Sequence, residues 1–381
     1  MKAFQTSKVY LTIILLLNFV YLSFIGFQLQ SGNSCFAPGR TSTISRSLSR
    51  QAESITTSDL SENRTRNSLT DSEQKIWVFT DDNLEKIYFY NRLLKKEHSF
   101  NKANLKTFRD KLFGVLGDDF NNYLVVHRGN TANNSQLQYN GSKKLRFNVT
   151  DKVYRRLPHN FTVKEYRRCS VVGNSGAILQ SRCGQDIDKA DFVYRCNAAP
   201  IRPFVKDAGE KTNITSFNPS ILGKRYHRLT HNDSLTLFLR DMKEYYGIVW
   251  ASCFSFQAYT TECIQVLCNY TNTENQFVLA HPDHFLRVER FWRSQGFKKR
   301  LTSGFYLATA ALSHCSEVHL YGFWPFTHKS GSTFEQLSYH YYDNLSYNTA
   351  SSKGPHGMMT EFAILVQFHL RGILKLHAGE C

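Results

Sequence analysis

Residues Cys169–Pro200 read CSVVGNSGAILQSRCGQDIDKADFVYRCNAAP, and the fold turns on this stretch. A short apolar run, Ser170–Val172, meets Gly173-Asn174-Ser175-Gly176. A helix-compatible segment follows, and a second β-like run lies at Phe192–Cys196. This is the order of a strand, a tight turn and a crossover returning to a strand. Glycine at the turn permits positive φ and a close approach of backbone to a ligand. GNSG is not the GxGxxG fingerprint, so the turn alone does not identify a nucleotide site. What distinguishes it is the polar side chains: Asn174 and Ser175 at the first strand end, Asn197 at the second. In an open α/β sheet, strand ends are where ligands bind.

Outward from this stretch the chain alternates short apolar runs with helical periods. Ile87, Tyr90 and Leu94 recur at helical spacing within Leu84–His98, as do Leu105, Phe108, Leu112 and Leu116 in the next segment. Lys211–Ser220 supplies strand-like residues and then an Asn-Pro turn. Tyr246–Trp250, Gln276–Ala280 and Val318–Phe323 are further strand candidates; Arg287–Arg300 and Phe305–His314 are helix candidates. The alternation predicts an α/β domain rather than an all-β one. The basic run between Gly141 and Arg168 reads as a solvated face.

The N-terminus speaks to the compartment. Lys2 and Lys8 precede Val9–Phe27, an apolar run without a charge. At helical rise it spans roughly 28 Å, about the hydrocarbon thickness of a bilayer. No A-x-A-like cleavage site follows, so the reading is an uncleaved signal anchor with the bulk of the chain in a lumen. Residues 1–8 form a cytosolic tail, 9–27 the transmembrane anchor, 28–75 a Ser/Thr-rich disordered stem, and 76–381 the catalytic domain. Sequons at Asn63, Asn133, Asn140, Asn148, Asn160, Asn213, Asn232, Asn269 and Asn344 agree with a secretory route. The nine cysteines lack metal-ligand spacing and favour disulfides; an odd count leaves at least one unpaired within the chain. The net charge of +16 draws anionic partners, but no nucleic-acid-binding motif accompanies it.

Candidate chemistry lies late in the chain. Tyr339-His340-Tyr341-Tyr342-Asp343 concentrates polar aromatics in a loop-like segment. Gly354-Pro355-His356-Gly357 places a histidine on a loop, with Glu361 at a helix start beyond it. Such a histidine can serve as general base toward a hydroxyl. Asp186-Ile187-Asp188 has the form of a cation-binding acidic triplet, but its place within a helical segment reads as solvated helix residues. Without a metal, a leaving phosphate needs cationic or hydrogen-bonding side chains and helix N-termini; His340, Tyr339 and Asn174 are suitable types.

Together these residues resemble the sialyltransferase family of vertebrate type, in its α2,8 branch. Cys169–Pro200, continued to about Ser220, resembles the large sialylmotif. Thr302-Ser303-Gly304 through Phe326, with GFWPF at Gly322–Phe326, resembles the small one. HYYDN at His340–Asn344 resembles the third motif, and His356 with Glu361 the very small one. The order Thr302-Ser303-Gly304 departs from the usual Ser-Thr-Gly, but both keep a hydroxyl pair.

The resemblance implies a Rossmann-like variant of the GT-A glycosyltransferase fold in a type II Golgi membrane protein. It implies metal-independent, inverting transfer of sialic acid from CMP-sialic acid to a terminal sialic acid of a glycolipid or glycoprotein glycan. His356 would be the catalytic base, and His340, with Tyr339, would bind the donor phosphate and assist CMP departure. Asn174, Ser175 and Asn197 would contact the donor, and Thr302, Ser303, Gly304 and Trp324 would wall the nucleotide pocket. It also implies disulfides Cys169–Cys315 and Cys183–Cys381, the second pinning the C-terminus beside the active site. The diluted basic character of Glu274–Thr302 predicts mono- or oligosialylation rather than long polymers. The alternatives are an enzyme of α2,3 or α2,6 linkage, or an inactive lumenal glycan-binding relative. Acceptor class and a homodimeric state stay open at this point, as do the roles of Cys35, Cys196, Cys253, Cys263 and Cys268.

Overall fold

The computed structural model describes residues 84–231, 233–329, 335–345 and 356–381. The expected tail, anchor and stem lie outside the described residues, as do Ile76–Asn83, Cys35, Asn63 and Asn232. No helix among the described residues is long and apolar enough to cross a membrane.

A small antiparallel hairpin pairs β1 (Gln136–Gln138) with β2 (Arg146–Asn148). The main sheet comprises β3 (Tyr166–Val172), β4 (Phe192–Arg195), β5 (Ile214–Phe217), β6 (Gly247–Ala251), β7 (Asn275–Leu279), β8 (Cys315–Tyr321) and β9 (Lys375–His377). Its order is β7-β6-β5-β4-β3-β8-β9, and every adjacent pair is parallel. The chain steps from β3 outward to β7, then returns to lay β8 on the opposite side of β3. The order therefore reverses between β3 and β8, and the crevice beyond their carboxyl ends is the topological switch point.

Parallel strands buried on both faces read as continuous apolar runs. In β3, Cys169 to Val172 are all buried; so is every residue of β5. The helix Lys102–Leu116 buries Leu105, Phe108, Leu112 and Leu116, as its periodicity predicts. Its N-cap Asn101 accepts the Asn104 N–H at 3.0 Å. The alanine-rich segment forms the helix Ser303–His314, with Phe305 through His314 all buried.

Three expectations need correction. The basic aromatic helix runs Pro282–Ser294, not Arg287–Arg300, because proline sits well at a helix start and Gly296 takes a positive φ just past its end. The segment after the Gly173 turn is not one helix: a 3₁₀ turn at Gly176–Ile178 is followed by a short helix at Gly184–Asp188. Asp186 and Asp188 there are half-buried structural groups rather than solvated ones. Asp186 pairs with Arg168 at 3.0 Å and accepts the Tyr321 hydroxyl at 2.6 Å. Asp188 accepts the backbone N–H groups of Glu210 and Lys211, both at 2.9 Å.

Disulfides join Cys169 to Cys315 and Cys183 to Cys381, and a third joins Cys253 to Cys263. The first staples β3 to β8 directly. The second ties the C-terminus, just past β9, to the crossover after β3; neither of its cysteines lines the cavity described next. Among the described residues, Cys196 is a free, buried thiol.

Candidate active site

At the switch point lies an open cavity of ≈ 250 Å³. Each donor-side and catalytic residue expected from the sequence lines it: Asn174, Ser175, Asn197, Thr302, Ser303, Gly304, Trp324, Tyr339, His340 and His356. Residues separated by more than 180 positions thus converge on one space.

The floor is a crossing of two glycines, Gly173 after β3 and Gly322 after β8. A Cβ on Gly173 would stand 2.5 Å from the Gly322 carbonyl oxygen, and one on Gly322 would stand 2.6 Å from that of Gly173. Gly322 also has φ +69°, so no other residue fits without strain. The crossing lets Ser175 N–H donate to Gly322 O at 3.1 Å and its hydroxyl donate to Trp324 O at 2.8 Å. Asn174 donates through Nδ2 to Cys196 O at 3.1 Å. Asn197 sits at φ 60°, a left-handed conformation that asparagine tolerates better than most residues. Its Oδ1 accepts the Asn218 N–H at 3.1 Å. The amides are thereby tied to the ends of β3, β4 and β5.

The walls carry two helix N-termini. Thr302 caps the helix Ser303–His314, accepting the Phe305 N–H at 3.1 Å, so the cavity meets that helix at the end favouring an anion. Opposite it begins the helix Met358–Leu370. Glu361, 4 % exposed, joins the two. It accepts the Thr302 N–H at 2.7 Å and the Thr302 hydroxyl at 2.5 Å. Burial pushes its carboxyl from 4.5 to about 7, against those two hydrogen bonds.

A carboxyl whose folded pKa is raised holds its stabilising share fully below about 4.5 and loses it as pH rises through about 7. Over that window, wild type is expected to lose about 2–3 kcal/mol relative to Glu361→Gln, whose amide keeps the acceptor and does not titrate. Denaturation midpoints of both proteins across this range check it; parallel pH curves would refute it.

Two histidines face the cavity with opposite surroundings. His356 Nδ1 donates to the Arg300 carbonyl oxygen at 3.0 Å, which leaves Nε2 unprotonated in the neutral ring. Burial, assisted by the Arg300 charge, lowers its pKa below the ordinary 6.5 and favours this base form. His340 Nδ1 instead donates to the Asp343 carboxylate at 2.7 Å, and its ring stacks on Tyr342 with centroids 4.9 Å apart. The two rings are thus oriented by different partners, His356 by a backbone carbonyl and His340 by a carboxylate.

Sequence reasoning missed Asn218, Cys196 and the Phe323, Met358, Phe362 and Leu365 walls. The Asn-Pro turn after a strand-like run was the available signal for Asn218; the others show no local pattern. Burial holds the Cys196 thiol up at about 12, so it lines the cavity as an apolar group. None of the described lining residues is Lys or Arg. One cluster with metal-ligand chemistry occurs among the described residues, Asp186, His377 and Cys381. It lies away from the cavity, its sulfur is bonded to Cys183, and its carboxylate is held by Arg168 and Tyr321.

The pattern of glycosyltransferase family 29 (sialyltransferase) matches residues 125–373. Alpha-2,8-sialyltransferase 8F of Mus musculus is 34% identical over 264 residues, 68% of this chain and 64% of that protein. Alpha-N-acetylneuraminide alpha-2,8-sialyltransferase of Xenopus laevis is 37% identical over 67% of this chain and 70% of its own length. The chain thus spans about two thirds of the length of these curated relatives. A crystal structure of a mammalian sialyltransferase aligns with 78% of this chain and 86% of its own, at 20% identity and a TM-score of 0.38; the description of the fold rests on the sheet itself. With the family pattern covering more than half of its residues, the chain belongs to glycosyltransferase family 29, the sialyltransferases.

Proposed function

We propose that this protein is an α2,8-sialyltransferase that moves sialic acid from CMP-sialic acid to a terminal sialic acid of a glycolipid or glycoprotein glycan. The observation that carries the reading is the convergence on one cavity at the switch point of His356, with its Nε2 lone pair free, and His340, oriented by Asp343. The relatives named alpha-2,8-sialyltransferases support the linkage.

His356 Nε2 takes the proton of the acceptor hydroxyl, whose oxygen attacks the anomeric carbon of the donor. The bond from that carbon to the phosphate oxygen breaks in the same in-line displacement, and the anomeric configuration inverts. CMP departs with the bonding electron pair. His340 faces the leaving phosphate and assists the departure of CMP, and the N-terminus at Thr302, Ser303 and Gly304 offers backbone dipoles to an anion. Tyr339 stands beside His340, with ring centroids 4.6 Å apart. Asn174, Ser175 and Asn197 hold the donor from the floor, and Trp324 closes the nucleotide side. On this reading, phosphate charge is met by these groups and the step needs no metal.

Asp343→Asn is expected to lower kcat on the order of tenfold with acceptor KM kept, because it removes the charged hydrogen-bond partner that orients the His340 ring toward the leaving group. Steady-state kinetics with both substrates varied decide this, and an unchanged kcat removes the role.

The parallel sheet with its single reversal supports a Rossmann-like variant of the GT-A fold. The three disulfides support an oxidising lumen. With the apolar run Val9–Phe27 they support a single-pass type II protein of the Golgi membrane. The deciding experiment gives the enzyme CMP-sialic acid and a sialylated lactosyl acceptor and determines the linkage formed. Sialic acid joined to galactose would replace this reading with an α2,3 or α2,6 one. Polymers tens of residues long on an isolated acceptor would overturn the expectation of mono- or oligosialylation.

A further inference from the structure

Outside the cavity wall, one arginine whose backbone adjoins His356 has no carboxylate partner among the described residues. Arg300 and His356 form an isolated parallel bridge, and the Arg300 carbonyl is the group that fixes the His356 ring. The same residue's guanidinium lies over two aromatic rings, 4.4 Å from the Phe256 centroid and 6.0 Å from that of Phe285. Among the described residues Arg300 makes no ion pair. The acid that interacts with it, Glu289, lies 3.9 Å from Arg293 instead.

Phe256 is 51% exposed, which is unusual for so large an apolar side chain. It is also held in place. The turn of the β1–β2 hairpin packs on it, since a Cβ on Gly141 would stand 3.3 Å from Phe256 Cδ1 and the Asn140 N–H donates to Phe254 O at 2.8 Å. The exposed Lys143, Lys144 and Arg146 follow on that hairpin. The hairpin turn, Phe256, Arg300 and His356 are thus linked contact by contact, and this surface carries exposed cations and one half-exposed aromatic ring.

We propose that this surface is the acceptor subsite, and that Arg300, seated on Phe256, binds the carboxylate of the acceptor's terminal sialic acid. The inference rests on the α2,8 reading, in which the sugar receiving the new bond is itself an acid. Its hydroxyl must reach His356 Nε2, so its carboxylate falls a few ångströms to the acceptor side of that base. A planar guanidinium meets a carboxylate through two parallel hydrogen bonds, and stacking on Phe256 orients the fork in advance. Phe256 at the same time offers an apolar surface to the sugar ring.

The test uses the full-length protein in detergent micelles, with CMP-sialic acid as donor. Two acceptors are compared: sialyllactose and its derivative in which the sialic acid carboxylate is a neutral carboxamide. Wild type is expected to lose about 10–100-fold in kcat/KM on the carboxamide. Arg300→Gln should lose about as much on sialyllactose and little more on the carboxamide, with the KM for CMP-sialic acid and the affinity for CMP kept. Arg300→Lys should recover part of the loss. Wild type using both acceptors equally, Arg300→Gln keeping the full preference for the carboxylate, or the loss falling on the donor KM would each overturn the proposal while leaving the α2,8 reading intact. Transfer only to unsialylated galactose would overturn both. If Arg300→Gln fails to bind CMP, the wild-type acceptor pair and Arg300→Lys still decide.

Discussion

His356→Ala is expected to lower kcat on the order of a thousandfold while CMP still binds. The size follows from what the side chain is asked to do. A sugar hydroxyl is a weak nucleophile at neutral pH, and general-base catalysis contributes roughly 10²–10⁴. The geometry suits His356 to the proposed role: its Nδ1 proton is spent on Arg300 O, so Nε2 is left with a lone pair at the cavity. Burial lowers the pKa below 6.5, so the base form persists into mildly acidic conditions. The acidic limb of kcat/KM for wild type should therefore fall below pH 6.5, and that limb should be absent from the residual activity of the variant. Wild-type turnover by His356→Ala would remove the assignment. A matching loss of CMP affinity would show damage to the pocket rather than loss of a base.

The second large effect is on stability. Cys169 and Cys315 close a loop of 146 residues, and both are fully buried. On the chain-entropy view such a closure stabilises by about 5 kcal/mol, a sizeable share of the roughly 5–15 kcal/mol typical of a folded domain. The paired Cys169→Ala and Cys315→Ala variant, which leaves no unsatisfied polar atom between β3 and β8, is expected to lose about 3–5 kcal/mol in urea unfolding. Because those two strands carry Gly173 and Gly322 at their ends, activity should decline at temperatures where the sheet still holds. A loss under about 1 kcal/mol would mean that the strand pairing alone keeps the unfolded chain's entropy cost small.

Much of the site was legible before any coordinates. Asn174, Ser175 and Asn197 stood out because polar residues at the end of apolar strands face a ligand crevice in α/β sheets. His356 stood out because a loop presents it just before a helix. The strands were legible as short apolar runs, since parallel strands are buried on both faces. Short elements were not. The β1–β2 hairpin and β9 are three-residue strands whose pairing, not their composition, makes them strands. Asp186 looked solvated because helical periodicity cannot report a partner such as Tyr321, which lies 135 residues away.

The sequence by itself determined the family of the protein and the candidate residues for its site. Apolar periodicity predicts α/β layering, the anchor and cysteines point to a lumen, and four spaced motifs name the chemistry. Only the tertiary structure decided that those motifs meet, because β8 returns to the far side of β3 and brings Gly322 against Gly173. Only it showed which partner orients each histidine, a backbone carbonyl at Arg300 for His356 and a carboxylate at Asp343 for His340, because such partners come from distant segments. The same holds for Arg300 on Phe256: an arginine in a basic run becomes an acceptor-binding candidate only when folding seats it on an aromatic ring and bridges its backbone to His356.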